Sequence, residues 1–173
     1  MSDFPEVFAA SSTPTEPKLE FVFQIRLHFT RVQNIEQMPS GAGRGAVYVD
    51  SGSIEGPRLR GTVVPASGGD WALFRPDGVL ATDARYMLQA EDGTLILMHN
   101  RGYLWGRRAD VMPRLRAWIF AGGPAVAHSE YYLRAFPTFE VGTGPHDWLM
   151  RHVIVGVGER RADGNLIRYH ALL

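Results

Sequence analysis

The sequence predicts an all-β protein, a single antiparallel β-barrel carrying one short helix, and three observations predict it. Leu19, Phe21, Phe23, Ile25, Leu27 and Phe29 alternate with polar or outward-compatible residues at a period of two, the pattern of a half-buried strand. Within Gly68 to Gly102, three extended apolar runs are separated by two Asp-Gly turns, Asp77-Gly78 and Asp92-Gly93. Asp-Gly suits tight hairpins because both residues tolerate positive φ. Helical signals are confined to one segment, so the crossover helices of βαβ units are missing and successive strands must return by hairpins.

The elements follow in order. Residues 1–17 are rich in Ser, Thr, Pro and Glu without a sustained period and read as a loosely held arm, with 18–173 forming one domain. After the first strand, Pro39, Gly41, Gly43 and Gly45 break the chain, Ala46-Val47-Tyr48-Val49 resumes extended structure, and Gly52, Gly56 and Pro57 break it again. Arg58 to Val64, Trp71 to Arg75, Val79 to Ala90 and Thr94 to Asn100 read as strands of a meander. Asp110 as N-cap, Pro113 in the first turn, apolar Val111, Leu115, Trp118 and Ile119, and Gly122-Gly123 as the stop define a helix able to lid one barrel end. Tyr131 to Val141 is a strand interrupted at Pro137, and His146 to Arg151 a turn or short helical piece. Val153 to Gly158 and Leu166 to Leu172 form a final hairpin about Asp163-Gly164. About eight or nine strands in hairpin order favour closure, which removes open edges; a two-sheet sandwich is the alternative.

Composition narrows the function classes. Eighteen basic residues balance eighteen acidic ones in 173 residues, so no global field draws the chain to nucleic acid or an anionic membrane. The absence of cysteine excludes disulfides, thiolate metal sites and a cysteine nucleophile. No basic n-region with an apolar h-region opens the chain, and no run of some eighteen apolar residues occurs, so a reducing cytoplasm is the expected location. There is no Gly-x-Ser-x-Gly elbow, no Walker loop and no strand-led Gly-x-Gly-x-x-Gly, which leaves nucleotide, flavin and serine-hydrolase readings without footing.

Glu55-Gly56-Pro57-Arg58-Leu59-Arg60-Gly61, Gly69-Asp70-Trp71, Arg75-Pro76-Asp77-Gly78, Asp83-Ala84-Arg85-Tyr86, Asp92-Gly93, Asn100-Arg101-Gly102, Tyr131-Tyr132-Leu133-Arg134 and Trp148-Leu149 occur in that order. Together they resemble the DUF3237 family of small uncharacterised barrels, from about Leu19 to the C-terminus. The resemblance implies a barrel related in outline to lipocalin-like and allene-oxide-cyclase-like folds, and members tend to occur beside catabolic or secondary-metabolite enzymes. It implies no reaction. Met150 stands where the family pattern has Asn after Trp-Leu.

Candidate site residues are the polar side chains inside strands. Asp83 and Arg85 share a strand face, with Tyr86 on the other; if their face lines the lumen, Asp83 is a base and Arg85 an oxyanion holder, the alternative being an ion pair at a rim. Tyr132 and Arg134 likewise share a face and make a proton donor beside an anion anchor. Asp70 and Trp71 follow a flexible Gly68-Gly69 pair, where Trp71 walls a pocket or packs in the core. Asn100 and Arg101 are placed at the end of a strand, at the barrel mouth, and Trp148 shapes the pocket. Glu140, His146, Asp147 and His152 crowd in sequence but match no helix-borne ligand motif, so no metal and no cofactor are expected. The expected function is cofactor-independent acid/base chemistry, of lyase, isomerase, cyclase or hydratase type, on a small apolar carbonyl or phenolic compound. The alternatives are a non-catalytic small-molecule-binding barrel and a partner-binding domain with a filled interior. A homo-oligomer is one way to bury leftover apolar surface.

Overall fold

The computed structural model describes residues 16–173. The reading of residues 1–17 as a loose arm therefore falls, for 1–15, outside the described residues. The strands are β1 (Leu19–Ile35), β2 (Gly43–Glu55), β3 (Gly61–Val63), β4 (Gly69–Asp70), β5 (Leu73–Phe74), β6 (Leu80–Ala90), β7 (Leu95–Gly106), β8 (Tyr131–Val141), β9 (Ile154–Arg161) and β10 (Gly164–Leu172). One helix, α1 (Val111–Ala121), joins β7 to β8. Every pairing is antiparallel, and β1 pairs with both β10 and β2, which closes the sheet. The short pieces β3, β4 and β5 take successive stretches between β2 and β6, so together they occupy one strand position of a closed eight-stranded barrel.

The hairpins form where the Asp-Gly pairs place them. Gly78 and Gly93 take φ of +84° and +86°, and the Arg75 and Ala90 amides donate across the turns to Val79 and Thr94 carbonyls. In α1, Gly122 terminates the helix at φ +66°. Asp110 is the N-cap residue of α1, its carbonyl accepting the Arg114 amide at 3.3 Å, but its side chain makes no capping hydrogen bond: the carboxylate pairs with Arg108 and Arg114 instead.

Several sequence expectations are corrected, among them the interruption at Pro137: β8 runs unbroken from Tyr131 to Val141, with Pro137 opposite Asn100. The alternation of β1 breaks at a bulge between Phe21 and Phe23, so Val22 and Phe23 are both buried while Leu19 and Phe21 face out. Gly52 does not end β2, which runs on to Glu55. A Cβ there would lie 2.6 Å from the Arg26 carbonyl and 2.7 Å from Val63 Cγ2, so the glycine permits close strand approach rather than a break. Strand β7 extends six residues past Asn100 to Gly106, which places Asn100 and Arg101 in mid-wall and not at the mouth.

The core has two parts. One fills the barrel from Val22, Phe23 and Ile25 to Tyr86, Tyr169, Trp148 and Leu149, with the 3₁₀ turn Asp147–Met150 closing that end. The other lies under α1, where Val111 and Leu115 pack on Leu80, Leu104, Tyr131 and Leu133.

Candidate active site

The site is built from strand parity. On β6 the buried residues are Leu80, Ala84, Tyr86, Leu88 and Ala90, so the even positions point inward and the odd ones, Asp83 and Arg85, point outward. Residues directly opposite in a ladder share a face, and Ala84 lies opposite Asp70 on one side and Asn100 on the other, with Val47 opposite Asp70. Val47, Asp70, Ala84 and Asn100 thus form one inward row across four strands. On β9 the inward positions are Ile154, Gly156, Gly158 and Arg160. Gly156 leaves room for the Tyr169 ring, 2.9 Å from where a Cβ would stand, and Arg160 enters from the end of the same face.

Asp70 is held in place by glycine. A Cβ on Gly68 would stand 1.8 Å from the Arg85 carbonyl oxygen and one on Gly69 2.6 Å from that of Val47, so the chain threads between β2 and β6 at a distance only glycine permits. Asp70 then turns into the barrel, and Asp70 Oδ1 accepts the Asp83 amide at 2.8 Å.

Val47, Asp70 and Arg160 line a cavity of about 360 Å³ between one barrel end and α1. Its walls are chiefly apolar, including Phe29, Val47, Leu80 and Leu104 from the barrel and Met112 and Ile119 from the helix. Four charged side chains line it: Asp70, Arg75, Arg116 and Arg160. Arg75 pairs with Asp77 and Arg116 with Glu36, 2.9 Å away, so both rim cations are neutralised from outside. Among the described residues, Asp70 and Arg160 have no such partner. Desolvation outweighs the hydrogen bond from Asp83 and the attraction of Arg160, and raises the Asp70 carboxyl to about 6. Burial also lowers the pKa of Arg160, opposed by the Asp70 charge. Arg160 donates through Nη1 to Asn165 Oδ1 at 3.0 Å and through its backbone amide to the Tyr131 hydroxyl at 2.9 Å, while its shielded Nε has no partner.

At its Asn100 end this row joins a buried polar cluster. Asn100 Nδ2 donates to the Tyr169 hydroxyl at 3.0 Å, while the Tyr86 hydroxyl and Asn100 Oδ1 have no partner within the geometric limits of a hydrogen bond among the described residues. Burial raises both phenols, and the Asp70 charge adds to the effect on Tyr86.

The other expected site residues are elsewhere. Asp83 sits on the outer wall, half exposed, with His99 Nε2 2.6 Å from its Oδ1. Arg85 is exposed beside it. The expectation that this pair faces the lumen is corrected by β6 parity: Tyr86 holds the inner face. Tyr132 and Arg134 are also outside, Tyr132 stacked on Trp105 at 5.2 Å and Arg134 4.9 Å over the Tyr132 ring. Arg101 lies 5.3 Å over Phe136 on the same outer wall. Trp71 points out and leaves the cavity to its neighbour Asp70. Trp148 packs in the core at the opposite barrel end, beneath Arg58 at 4.0 Å, and Met150 is exposed there. His146 pairs with Asp92 at 3.0 Å and His152 contacts the Trp148 carbonyl at 2.8 Å. Among the described residues, no three His, Asp or Glu side chains gather as a metal site. Asp70, Tyr86 and Asn100 are therefore the expected residues that the fold brings to the inner wall. Arg160 was missed because the strand was ended at Gly158; the alternation Gly156, Gly158, Arg160 was the available signal.

Comparison with known proteins bears on the family and the fold. The model of a protein family of unknown function, DUF3237, matches residues 17–172. A UPF0311 protein of Rhodopseudomonas palustris is 28% identical over 161 residues, covering 93% of this chain and 99% of the relative. The crystal structure of a conserved protein of unknown function from R. palustris superposes with a TM-score of 0.81 at 27% identity, covering 93% of this chain and 100% of that one. The hydroalkoxylation enzyme phnH of Penicillium herquei is 34% identical over 93 residues, 53% of this chain and 60% of that protein. A family match that runs from residue 17 to residue 172 leads to one assignment: the chain belongs to the DUF3237 family of proteins of unknown function.

Proposed function

We propose that this barrel is an enzyme that moves a proton on a small, largely apolar carbonyl or phenolic compound held under α1, with Asp70 as the acid/base group. The observation that carries this reading is a carboxyl raised to about 6 inside an apolar cavity of about 360 Å³. A carboxyl of that pKa is part ionised near neutrality, so it both accepts and returns a proton with little driving force lost. Arg160 supplies positive charge where an enolate or phenolate oxygen would develop, in a cavity whose walls are chiefly apolar. The cavity suits a ligand of one or two rings. Likeness to a hydroalkoxylation enzyme supports the enzyme-like reading, because adding an O–H across an alkene requires removal of one proton and delivery of another.

A barrel that only carried apolar ligands would gain nothing from an unpaired buried guanidinium and a desolvated carboxylate, each of which costs stability. The test is to incubate the protein in deuterium oxide with alkenyl phenols and enolisable aryl ketones and follow carbon-bound deuterium by NMR. Incorporation that disappears in Asp70→Asn is the expected result; incorporation unchanged in that variant would refute the role of Asp70.

A further inference from the structure

Asp70 and Arg160 attract one another across the cavity, yet they are not in ion-pair contact. Each has unused capacity. Asp70 Oδ1 takes the Asp83 amide, while Oδ2 accepts no hydrogen bond from the described residues. Arg160 commits Nη1 to Asn165, while Nη2 donates to none of them. The other charged groups around the pair are spoken for. Asp83 lies across the sheet on His99, Arg75 and Arg116 are paired outside the cavity, and Tyr86 is held neutral by burial.

We infer that the cavity is specific for a weak oxygen acid, an enol or phenol on an apolar frame, which enters neutral and is held as its anion between Asp70 and Arg160. This rests on the reading of the cavity as the functional site. The ligand O–H bond breaks, its proton bonds to Asp70 Oδ2, and the oxygen keeps the electron pair and accepts from Arg160 Nη2–H. Nothing is oxidised or reduced, and the cavity's charge is unchanged: the guanidinium stays positive while the negative charge passes from the carboxylate to the ligand oxygen.

Charge bookkeeping excludes the other ligand types. An apolar ligand without an acidic proton would displace water from both charges and replace it with nothing, which costs several kcal/mol by burial of unpaired ions. A ligand that entered already ionised would put two negative charges against one guanidinium where Asp70 is ionised, and reaches the same complex as the neutral acid only where Asp70 already carries the proton. A ligand with an ionisable O–H leaves one anion facing one cation with a proton parked beside them, whichever of the two partners brought that proton. That proton is then available for another atom of the same molecule.

The experiment uses p-nitrophenol, whose anion absorbs visible light and whose neutral form does not, and p-nitroanisole, its counterpart without an acidic hydrogen. Both are titrated against the intact protein at a pH where free p-nitrophenol is mostly protonated. The expected result is growth of the phenolate band on adding protein, with p-nitroanisole bound about 10- to 100-fold more weakly, the range of a charge-assisted hydrogen bond. In Asp70→Asn, which keeps an acceptor for the Asp83 amide, the band is lost. Equal affinity for both compounds with no phenolate band overturns this inference and leaves the cavity as a site. A band unchanged in Asp70→Asn overturns the proton transfer to Asp70. Binding of neither compound overturns the inference together with the reading it rests on.

Discussion

The backbone amide of Asp83 donates to Asp70 Oδ1 at 2.8 Å, so one strand residue presents its main chain to the carboxylate inside the barrel and its own carboxylate to His99 outside. Two acids within one hydrogen bond of each other thus occupy opposite environments. Asp70 is desolvated, whereas the Asp83 side chain is 51% exposed. That difference separates a carboxyl raised by burial from one paired at the surface.

Asp70→Asn is expected to lower turnover by roughly 10²- to 10⁴-fold, the usual contribution of a positioned general acid or base. Asp83→Asn removes a half-exposed pair whose worth is about 0–1 kcal/mol and changes turnover less than about threefold. Steady-state kinetics on the substrate found by the deuterium screen, with both variants side by side, decide between the two carboxylates.

Stability should depend on pH through Asp70. Its folded pKa is about 6 against 3.8 for the free side chain, so the unfolded state releases this proton more readily. The Asp70 contribution is therefore fully present below pH 3.8 and is lost as pH rises through about 6. The full shift corresponds to about 3 kcal/mol. Asp70→Asn abolishes the linkage, so urea unfolding should show the variant more stable than the parent at pH 8, by up to about 3 kcal/mol, with the gap closing toward pH 4. A gap independent of pH would mean that Asp70 is not desolvated.

Two glycine substitutions should differ for reasons visible in the backbone. At Gly68 an added Cβ meets the Arg85 carbonyl at 1.8 Å, so Gly68→Ala must push β4 away from β6 and is expected to cost at least about 3 kcal/mol. At Gly78 an added Cβ meets nothing within 4 Å, and only φ of +84° opposes it, so Gly78→Ala is expected to cost about 1 kcal/mol. Thermal melts of the two variants rank them. Equal losses would show that strand crowding at Gly68 is relieved without strain.

Asn100→Leu removes the donor to the Tyr169 hydroxyl and strands that group inside the barrel. A loss of about 1–3 kcal/mol is expected, and Asn100→Asp should be worse at neutral pH than at acidic pH, because a buried carboxylate there must be protonated to be tolerated. Denaturant titrations at two pH values measure both.

Most of the fold was legible in the chain, because hairpins and strand alternation are local properties. The Asp-Gly pairs set three turns, Gly122 stopped α1, and the period of two in β1 and β6 marked strands directly. The choice of inner face was not local. Asp83 and Arg85 alternate as regularly as Ala84 and Tyr86, and nothing within β6 states which set meets the lumen. Pairing with β4 and β7 decides it, by putting Ala84 between Asp70 and Asn100. The bulge in β1 shows the same limit, since one extra residue reverses the faces of Leu19 and Phe21 while leaving their alternation intact in sequence.

By itself, then, the sequence determined an all-β chain with one helix, its turns, its charge balance and its family, all of which depend on residue type and spacing along the chain. Only the tertiary structure decided that Asp70 and Arg160, 90 positions apart in sequence, face one cavity under α1. The physical reason is that barrel closure couples strand register to side-chain direction: a shift of one residue in any strand would exchange inside for outside, and that register is set by packing against neighbours distant in sequence.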